Sequence, residues 1–396
     1  MPWMPPEHEL SDFQNNLINK CGNLSGLSHW IKGFAGSGKS VLLVYMVQRI
    51  LAQNPDARVC VSVFTHALKD MIQNGIPTEL RDRVKVITNE QFLYENESYE
   101  FVALDEVQDI PKSKLIRIKN LADTIVVAGD TDQSIFVDKR STEEEIIESL
   151  NPDVDQLDTI FRLTQKLKEI VCAILPNSRI ETAIMGRYDS VQVTLAKANS
   201  DYEEIKWVWE NCINHGQTGE PAAVLFSRHV EIQNFIQKIC EFNKIPSIEF
   251  KKEEGVPNYE SQKEWSFRVN KIFQEKKVAL RFLGNGIGTL DDSEQQPLTY
   301  IMTYHSAKGL DFKTVFLPQL NQNRTFWKIQ AHIEKDPDID RRLLFVAATR
   351  SRLNLFFSYS SIQPHPYVQD IPNGLLHHVK CRLNEQALEN ETRAPF

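Results

Sequence analysis

Long apolar runs are missing from the sequence. None of the 396 residues belongs to a run approaching the roughly 20 that a membrane helix needs, so no membrane association is expected. The start, MPWMPPEHEL, lacks the basic segment followed by an apolar one that marks a secretory signal, and a cytoplasmic location is expected. The six cysteines contain no C-x-x-C pair, which favours reduced, buried thiols over zinc or a disulfide framework.

Excess positive charge is also missing. The net charge of -8 argues against a protein that coats nucleic acid through bulk charge, but it leaves room for a narrow basic track in a cleft. The acidic segment STEEEIIES at 141–149 predicts a solvated helix face. A chain of 396 residues, 41% of them hydrophobic, predicts two domains of ordinary size.

The segment GFAGSGKS at 33–40 fits the pattern G-x-x-x-x-G-K-S. It lies between an apolar run that ends at Ile31 and a candidate helix at 41–51. Glycines let backbone N–H groups turn towards a phosphate, and the positive end of the following helix points at it. The pattern therefore predicts a nucleoside triphosphate site, with the Lys39 ammonium on the outer phosphates and the Ser40 hydroxyl on Mg²⁺.

Buried strands alternate with helical patterns along the whole chain. The first half has strand-like runs at 57–64, 83–88, 99–106 and 124–130, and the second half has them at 222–227, 298–306, 313–320 and 353–360. Helical patterns include 229–242 and 339–350. This alternation predicts two α/β layers, each a mostly parallel sheet covered on both faces. The pattern dissolves in the charged stretch 138–155, and we place a domain boundary near residue 150.

Polar side chains follow two of the first-half strands. Strand 99–104 runs into DEVQD, where Asp105 is predicted to hold Mg²⁺ and Glu106 to orient or deprotonate the water that attacks the γ-phosphate. The next strand runs into GDTDQSIF, which places Gln133 to sense the γ-phosphate or that water. The carboxyl ends of parallel strands face the same crevice as the phosphate loop, so these groups should converge.

The order of these motifs resembles the superfamily 1 helicases of the UvrD, PcrA and Rep kind, from about residue 10 to residue 360. The resemblance implies two tandem RecA-like domains, at 1–150 and 151–396, with an ATP cleft between them. It also implies ATP and Mg²⁺ as cofactors and single-stranded DNA as the partner.

The resemblance assigns further nucleotide contacts. Gln14 in LSDFQ would read the adenine, Phe161 in DTIFRLT would lie under it, and Arg162 would reach the γ-phosphate. Asp311 in TYHSAKGLDF would accept from the ribose, and Arg350 in VAATRSR would be the second γ-phosphate arginine. Arginines from a second domain stabilise the charge of phosphoryl transfer only when the cleft is closed, which couples hydrolysis to domain motion. The complete nucleotide-binding set is Gln14, Gly33, Ala35, Gly36, Ser37, Gly38, Lys39, Ser40, Phe161, Gly309 and Asp311.

The resemblance also implies nucleic-acid contacts. The positions are Phe64, Thr65 and His66 in VFTHALKDM, Thr88 in VITNEQFL, and His305 in TYHSAKGLDF. An ordinary core or surface role for the two histidines is an equal alternative.

Three departures from the family pattern stand out. Asp138 occupies the position of a base-stacking tryptophan, and Asp311 replaces the usual glutamate. Only about 35 residues separate the FTHAL and DEVQD motifs, so the large accessory insertions of such helicases are missing. The sequence therefore predicts a compact motor for which translocation is expected more than efficient unwinding.

Two functions remain as alternatives at this point. The first is an ATP-hydrolysing DNA translocase or helicase, with the 3′ to 5′ direction that the resemblance implies. The second is a nucleotide-gated ATPase subunit that acts with a protein partner such as a nuclease, replication or defence factor. RNA stays open as the track, because phosphate and stacking contacts say little about the sugar. The tail at 375–390 is expected to form an amphipathic helix.

Overall fold

Two parallel β-sheets, each covered by helices, organise the chain. The computed structural model describes residues 3–138, 140–187, 191–252, 256–284, 286–326 and 329–382. The elements of the first unit are α1 Asp12–Cys21, β1 Ser28–Gly33, α2 Lys39–Gln53, β2 Val59–Val63, α3 His66–Gly75, β3 Val84–Thr88, α4 Asn89–Glu95, β4 Tyr99–Leu104, α5 Lys112–Lys119, β5 Ala122–Gly129, α6 Glu143–Leu150 and β6 Asp153–Leu157.

The second unit continues directly from β6. Its elements are β7 Thr159–Ile160, α7 Gln165–Ile174, β8 Ile184–Met185, β9 Gln192–Lys197, α8 Asp201–His215, β10 Ala222–Phe226, α9 His229–Phe242, α10 Asn258–Glu275, β11 Leu280–Phe282, α11 Asp292–Gln295, β12 Thr299–Thr303, β13 Phe312–Leu317, α12 Gln330–Lys335, α13 Ile339–Ala348, β14 Ser351–Tyr359, α14 Pro366–Gln369 and β15 His377–Lys380.

The first sheet has the strand order β3-β2-β4-β5-β1-β6, with parallel pairing throughout. The second has the order β11-β12-β10-β13-β14-β9-β15, also parallel. Strands β7 and β8 form a separate small sheet. In the first sheet the carboxyl ends of β1, β2, β3, β4 and β5 meet at one edge, and this edge carries the loops that hold the predicted site.

Both faces of each sheet are buried, which explains why the strands are apolar along their length. In β4, Phe101 and Ala103 face a core shared with α1, α2 and α3, while Val102 and Leu104 face a core shared with α4, α5 and α6. In the second sheet, Val224 and Phe226 of β10 belong to one core, and Ala223 and Leu225 to another. The predicted α/β class, with two mostly parallel sheets flanked by helices, is confirmed. In the parts of the chain that the structure describes, no helix has the length and apolar character needed to cross a bilayer.

One strand was missed for a physical reason. The stretch 138–155 contains α6, which agrees with the helix face predicted at 141–149, and most of β6, which was not predicted. Strand β6 is an edge strand with mostly exposed residues, so it shows no apolar alternation. It belongs to the first sheet, and that sheet therefore ends at Leu157, seven residues beyond the boundary placed near residue 150.

The expected amphipathic helix at the carboxyl terminus is also not observed over 377–380. These residues form β15, the edge strand of the second sheet, which pairs in parallel with β9. The rest of the predicted helix, from residue 383 onward, lies outside the described residues.

Candidate active site

The phosphate loop connects β1 to α2 and is shaped by two glycines. Gly36 and Gly38 have φ angles of 78° and 93°, in the left-handed region that glycine adopts without strain. The loop therefore turns sharply, and α2 begins at Lys39. The Lys39 ammonium donates to the carbonyls of Gly33 and Phe34 at 2.8 and 3.0 Å. Burial lowers the pKa of Lys39, so an anion in the loop would relieve an unfavourable desolvation.

Ser40 and Asp105 form the next part of the site. The Ser40 hydroxyl donates to the Asp105 carboxylate at 2.5 Å, which joins the first turn of α2 to the end of β4. Burial, together with the neighbouring Glu106 charge, raises the pKa of Asp105 to about 6. A hydroxyl and a carboxylate side by side are the oxygen ligands that Mg²⁺ takes beside substrate phosphates, so these residues fit that ion.

Glu106 has a strained backbone and a strongly paired carboxylate. Its φ angle of 57° lies in the left-handed region, which a non-glycine residue occupies at a cost of about 1–3 kcal/mol. Burial acts to raise the pKa of Glu106, but the charges of Lys308 and Lys39 outweigh it and lower the pKa. Gln108 donates a short hydrogen bond to the same carboxylate. Glu106 is therefore an ionised, fixed carboxylate beside Asp105.

Gln133 and Arg350 connect the two units. The Arg350 guanidinium donates to the Gln133 side-chain oxygen at 2.8 Å, and the Gln133 amide donates to Asp130 at 2.8 Å. Burial, and then repulsion from Arg162, lowers the pKa of Arg350. An arginine from the second unit thus lies buried against a polar turn of the first.

Arg162 and Asp311 lie on the second unit's side of the site. Arg162 pairs with Asp311 at 3.0 Å, and Asp311 also pairs with Arg352 at 3.3 Å. The backbone amides of Phe161 and Arg162 donate to the Gly36 carbonyl at 2.9 and 3.3 Å, which fixes this turn on the phosphate loop.

Gln14 is held by the start of α1. Its side-chain oxygen accepts from the Ser11 backbone at 3.0 Å, while the Ser11 hydroxyl accepts from the Gln14 backbone, a reciprocal capping box. Its amide donates to the Ser37 carbonyl at 3.4 Å. The capping box therefore positions Gln14 beside the phosphate loop.

A cavity of about 540 Å³ brings most of these groups together. The predicted residues that line it are Gln14, Ala35, Gly36, Gly38, Lys39, Ser40, Asp105, Glu106, Gln133, Phe161, Arg162, Gly309, Asp311 and Arg350. Gly33 and Ser37 do not line it: the carbonyl of Gly33 holds Lys39, and Ser37 is fully buried beneath the loop. Both units contribute to the cavity, as a cleft between two domains requires.

Among the predicted nucleic-acid residues, Phe64, Thr65 and His66 follow β2 directly. Thr88 is the last residue of β3, and His305 lies just after β12. The rings of Phe64 and Phe136 lie 4.5 Å apart, and Phe136 and His305 lie 5.2 Å apart, so an aromatic cluster spans the two units. Burial, together with the Lys308 charge, lowers the pKa of His305 to about 4, which leaves it neutral. His66 is exposed nearby, facing Gly286 of the second unit.

The two threonines have structural tasks in this arrangement. The Thr65 hydroxyl accepts from the Leu68 amide at the start of α3, and the Thr88 hydroxyl accepts from the Gln91 amide at the start of α4. Both are helix N-caps, which stabilise a helix by about 1 kcal/mol.

The sequence missed some polar residues. Lys308 is buried, donates to Asp109 and the Gln133 carbonyl, and approaches Glu106 at 3.6 Å.

Arg187 and Arg352 line the cavity, as does the segment 3–6. Lys308, Asp109 and Arg352 lie inside the motifs TYHSAKGLDF, DEVQD and VAATRSR, so the sequence did contain a signal for these three residues. Segment 3–6 has no motif, and a hydrogen bond from the Tyr45 hydroxyl to the Pro5 carbonyl at 2.6 Å holds it there.

Comparisons with known proteins agree with this arrangement. The model of the UvrD-like helicase C-terminal domain matches residues 279–362, and that of the viral superfamily 1 RNA helicase core domain matches residues 29–204. Together the two matches support a superfamily 1 helicase, and the relatives below support the UvrD and Rep type within that superfamily.

Similar curated proteins carry helicase names. A probable DNA helicase II homolog of Mycoplasma capricolum is 29% identical over 117 residues, which is 26% of this chain and 16% of that protein. The ATP-dependent DNA helicase srs2 of Schizosaccharomyces pombe is 38% identical over 89 residues, 20% of this chain and 9% of that one. ATP-dependent DNA helicase Rep of Buchnera aphidicola from Acyrthosiphon pisum is 38% identical over 74 residues, 18% of this chain and 11% of that one. Each match thus spans less than a fifth of the relative's length.

Among solved structures, a complex of arterivirus nonstructural protein 10, a helicase, with DNA has a TM-score of 0.44 at 15% identity. The comparison covers 90% of this chain and 65% of that one. The helicase of PRRSV has a TM-score of 0.43 at 16% identity, covering 87% and 54% of the two chains.

Proposed function

We propose that this chain is an ATP-dependent motor that steps along single-stranded DNA in the 3′ to 5′ direction and unwinds duplex weakly. The observation that carries the proposal is the single cavity lined by the phosphate loop, Asp105 and Glu106 of the first unit and by Arg162 and Arg350 of the second. The proposed motor domains are 1–150 and 151–396, with β6 completing the first sheet from just beyond the boundary.

The first unit binds the nucleotide in this proposal. Lys39 exchanges its contacts with the loop carbonyls for the outer phosphates, and the backbone amides around Gly36 cradle them. Ser40 and Asp105 would hold Mg²⁺, which supplies positive charge to the phosphate oxygens when bound. Gln14 reads the adenine from α1, and Phe161 lies against it.

Glu106 and the two arginines perform the chemistry. The lowered pKa of Glu106 keeps it ionised, so it accepts the proton of the attacking water. Arg162 and Arg350 stabilise the charge that spreads over the transferring phosphoryl group. Arg162 must first leave Asp311, which keeps its pairing with Arg352 and then accepts from the ribose through its other oxygen.

Movement follows because the catalytic groups belong to different units. Gln133 contacts Arg350 directly, so a change at the γ-phosphate reaches the second unit through one hydrogen bond. Binding draws the arginines to the phosphates and closes the cleft, and product release lets it open. A strand held by both units would be displaced once per cycle.

The aromatic cluster supports a single strand as the track. Phe64 and Phe136 are partly exposed residues at the unit boundary, where His305 joins them, and aromatic side chains of this kind stack on bases. Asp138, at the tryptophan position, instead pairs with His332 at 2.6 Å and Lys335 at 3.3 Å. Phe64 and Phe136 therefore take over the stacking role in this proposal.

The alternative of a nucleotide-gated subunit is not favoured, because the relatives named above are DNA helicases. A protein partner for loading remains compatible with a motor but is not required by any contact described here.

Steady-state ATP hydrolysis with and without single-stranded DNA tests the proposal. We expect strong stimulation by DNA in the wild type, and a loss of about 10²- to 10⁴-fold in the Glu106→Gln variant, which keeps the shape but not the base. Glu148→Gln is the matched control, since Glu148 is an exposed partner of Lys112 and does not line the cavity. Activity indifferent to DNA would contradict the motor, and stimulation by RNA alone would change its track.

A further inference from the structure

A second cluster of chemically active side chains lies away from the cavity. Cys21 ends α1, His29 is the second residue of β1, and Asp155 lies in β6. Within the described part of the chain, these three form the one group of His, Cys, Asp or Glu side chains in which a ligand atom of each lies within 4.8 Å of the others. The phosphate loop is at the opposite end of β1, so the cluster is separate from the nucleotide site.

The sheet register explains why the three meet. His29 pairs with Asp153 of β6 and Ile31 pairs with Asp155, so His29 and Asp155 point to the same face of the sheet. Helix α1 packs on that face, and its last residue, Cys21, is fully buried there.

His29 supplies an independent sign of a missing ligand. The residue is only 3% exposed, and neither ring nitrogen has a hydrogen-bond partner among the described residues. Buried polar groups almost always have partners, because leaving one unsatisfied costs about 1–3 kcal/mol in free energy. An imidazole that faces a thiol and a carboxylate has the surroundings of a metal ligand.

We propose that Cys21, His29 and Asp155 bind a divalent transition-metal ion, with Zn²⁺ as the expected ion. Thiolate, imidazole and carboxylate are the ligands of zinc, and the charges of a thiolate and a carboxylate balance a divalent cation. Tetrahedral zinc places ligand atoms about 3.3 to 3.8 Å apart, so the side chains need to converge by about an ångström. Binding releases the Cys21 proton to solvent, and water fills the fourth position from the side of Asp155, whose side chain is 17% exposed.

Lys20 competes with the metal in the structure as it stands. Its ammonium lies 2.8 Å from Asp155 and 2.8 Å from Asp153. The Lys20 side chain is 40% exposed and that of Asp153 is 55% exposed, so the ammonium can keep Asp153 while Asp155 turns to the metal. Lys20 therefore weakens binding without preventing it.

The proposed ion would fasten three elements together. It joins the end of α1, the start of β1 and the edge strand β6, from which the chain enters the second unit. Because α1 also carries Gln14, zinc would stabilise the helix that reads the adenine, but the ion takes no part in hydrolysis.

Cobalt binding provides a direct test. Chelated protein titrated with Co²⁺ should develop the thiolate-to-cobalt absorption of a site with one ion per chain, and Zn²⁺ should displace it. His29→Gln and Cys21→Ser should each weaken binding by about 100-fold or more, since even outer-shell changes cost about 10- to 100-fold. Lys20→Met should tighten it by about tenfold, because a nearby positive charge is removed.

Cys60→Ser is the matched control, because Cys60 is buried in β2 of the same sheet and lies outside the cluster. It should bind Co²⁺ like the wild type. Zinc at roughly 100 times its Kd should also raise the melting temperature by about 5 °C in the wild type and not in His29→Gln. No thiolate absorption in the wild type, or an unchanged one in both Cys21→Ser and His29→Gln, overturns the proposal.

Discussion

Gln133 and Arg350 are joined by a 2.8 Å hydrogen bond that crosses from the first unit to the second. Both residues are buried, at 2% and 1% exposure, and Gln133 is itself anchored on Asp130. The guanidinium also donates to the carbonyls of Val346 and Leu310, so its position is fixed from both sides. The arginine is therefore preorganised at the cavity wall and does not need to be recruited from solvent.

Arg350→Ala should remove most of the stimulated ATPase activity. An arginine that stabilises phosphoryl-transfer charge contributes about 10³- to 10⁵-fold to kcat, while nucleotide binding depends mainly on the phosphate loop. We expect a kcat at least about 10³-fold lower with ATP affinity changed by less than about tenfold. Arg350→Lys should not restore activity, because an ammonium cannot make the same set of directed hydrogen bonds.

Arg341→Ala is the control for that experiment. Arg341 lies on α13 like the residues before Arg350, but it donates to the Ile174 carbonyl and pairs with Asp370 at 2.9 Å, outside the cavity. It should keep the wild-type kcat. Substantial DNA-stimulated turnover in a folded Arg350→Ala protein would remove Arg350 from the mechanism.

Gly36→Ala should damage the contact between the units. Gly36 has a φ of +78°, and a Cβ added there would lie 2.2 Å from the Cβ of Arg162. Either the loop or the Arg162 turn must move, and a displacement of about 1 Å at a catalytic group can reduce the rate by about 10²-fold. We expect a fall of that size in ATP turnover, measured together with nucleotide affinity.

Gly26→Ala separates the clash from the backbone effect. Gly26 has a similar φ of +72°, but an added Cβ meets nothing within 4 Å. Both substitutions therefore carry a left-handed alanine, at a cost of about 1–2 kcal/mol in stability, while only Gly36→Ala presses on Arg162. Equal activities for the two variants would show that the loop contact is unimportant.

Phe136→Leu should weaken binding to single-stranded DNA. Phe136 lies between Phe64 and His305, and each base stacked on an aromatic ring contributes about 1–3 kcal/mol. Leucine keeps most of the apolar volume but offers no ring, so we expect Kd to rise by about 5- to 150-fold at fixed salt. Fluorescence anisotropy with labelled DNA and RNA of equal length measures the effect and compares the tracks.

Tyr94→Leu is the matched control because Tyr94 is 89% exposed on α4, outside the cluster. Its DNA affinity should equal that of the wild type. If Phe136→Leu bound DNA equally well, the aromatic cluster would be a packing feature of the interface.

The sequence predicted the sheets and the cavity because their signals are local. Strands such as β4 are buried on both faces and therefore apolar throughout, and the phosphate loop is one continuous pattern. Strand β6 gave no such signal, since an exposed edge strand is stabilised by pairing with β1 and not by its own residues. The contacts of Lys308 with Asp109 and with the Gln133 carbonyl depend on how the two units meet. No spacing along the chain encodes that arrangement.

The cluster of Cys21, His29 and Asp155 shows the same limit more sharply. The cysteine spacing favoured reduced thiols over zinc, but spacing along the chain detects only ligands that are close in sequence. Here the three residues come from a helix end, a strand start and an edge strand. Sheet register brings them together, so only the three-dimensional structure reveals the candidate site.

His365 should make the second unit sensitive to acid. Its Nε2 lies 3.0 Å from the Arg324 carbonyl and its Nδ1 accepts from the Tyr367 amide at 3.3 Å, which requires the neutral ring with the proton on Nε2. Burial lowers the pKa of His365 to about 4, and the charges of Arg324 and Arg341 act in the same direction. Protonating Nδ1 would remove the acceptor of the Tyr367 amide and place two donors against each other.

The direction of the pH effect follows from proton binding. In the unfolded chain a histidine binds a proton near pH 6.5, but in the folded chain His365 binds it only near pH 4. Between these values the unfolded state holds more protons, so the free energy of unfolding falls as the pH falls, by up to about 3 kcal/mol in total. His365→Gln can keep both hydrogen bonds without titrating, and its stability should depend less on pH over this window.

Thermal unfolding from pH 7 to pH 4 measures this as a difference between the two proteins. Asp105 and Asp109, whose pKa values burial raises to about 6, titrate over the same range with the opposite sign and are present in both. Their contribution is the same in both proteins and cancels when the changes with pH are compared. The variant also loses the ring stacking between His365 and Phe326, but this loss is the same at every pH and does not affect the comparison. A melting temperature that falls by the same amount in both proteins would show that His365 is protonated in the folded state already near its ordinary pKa.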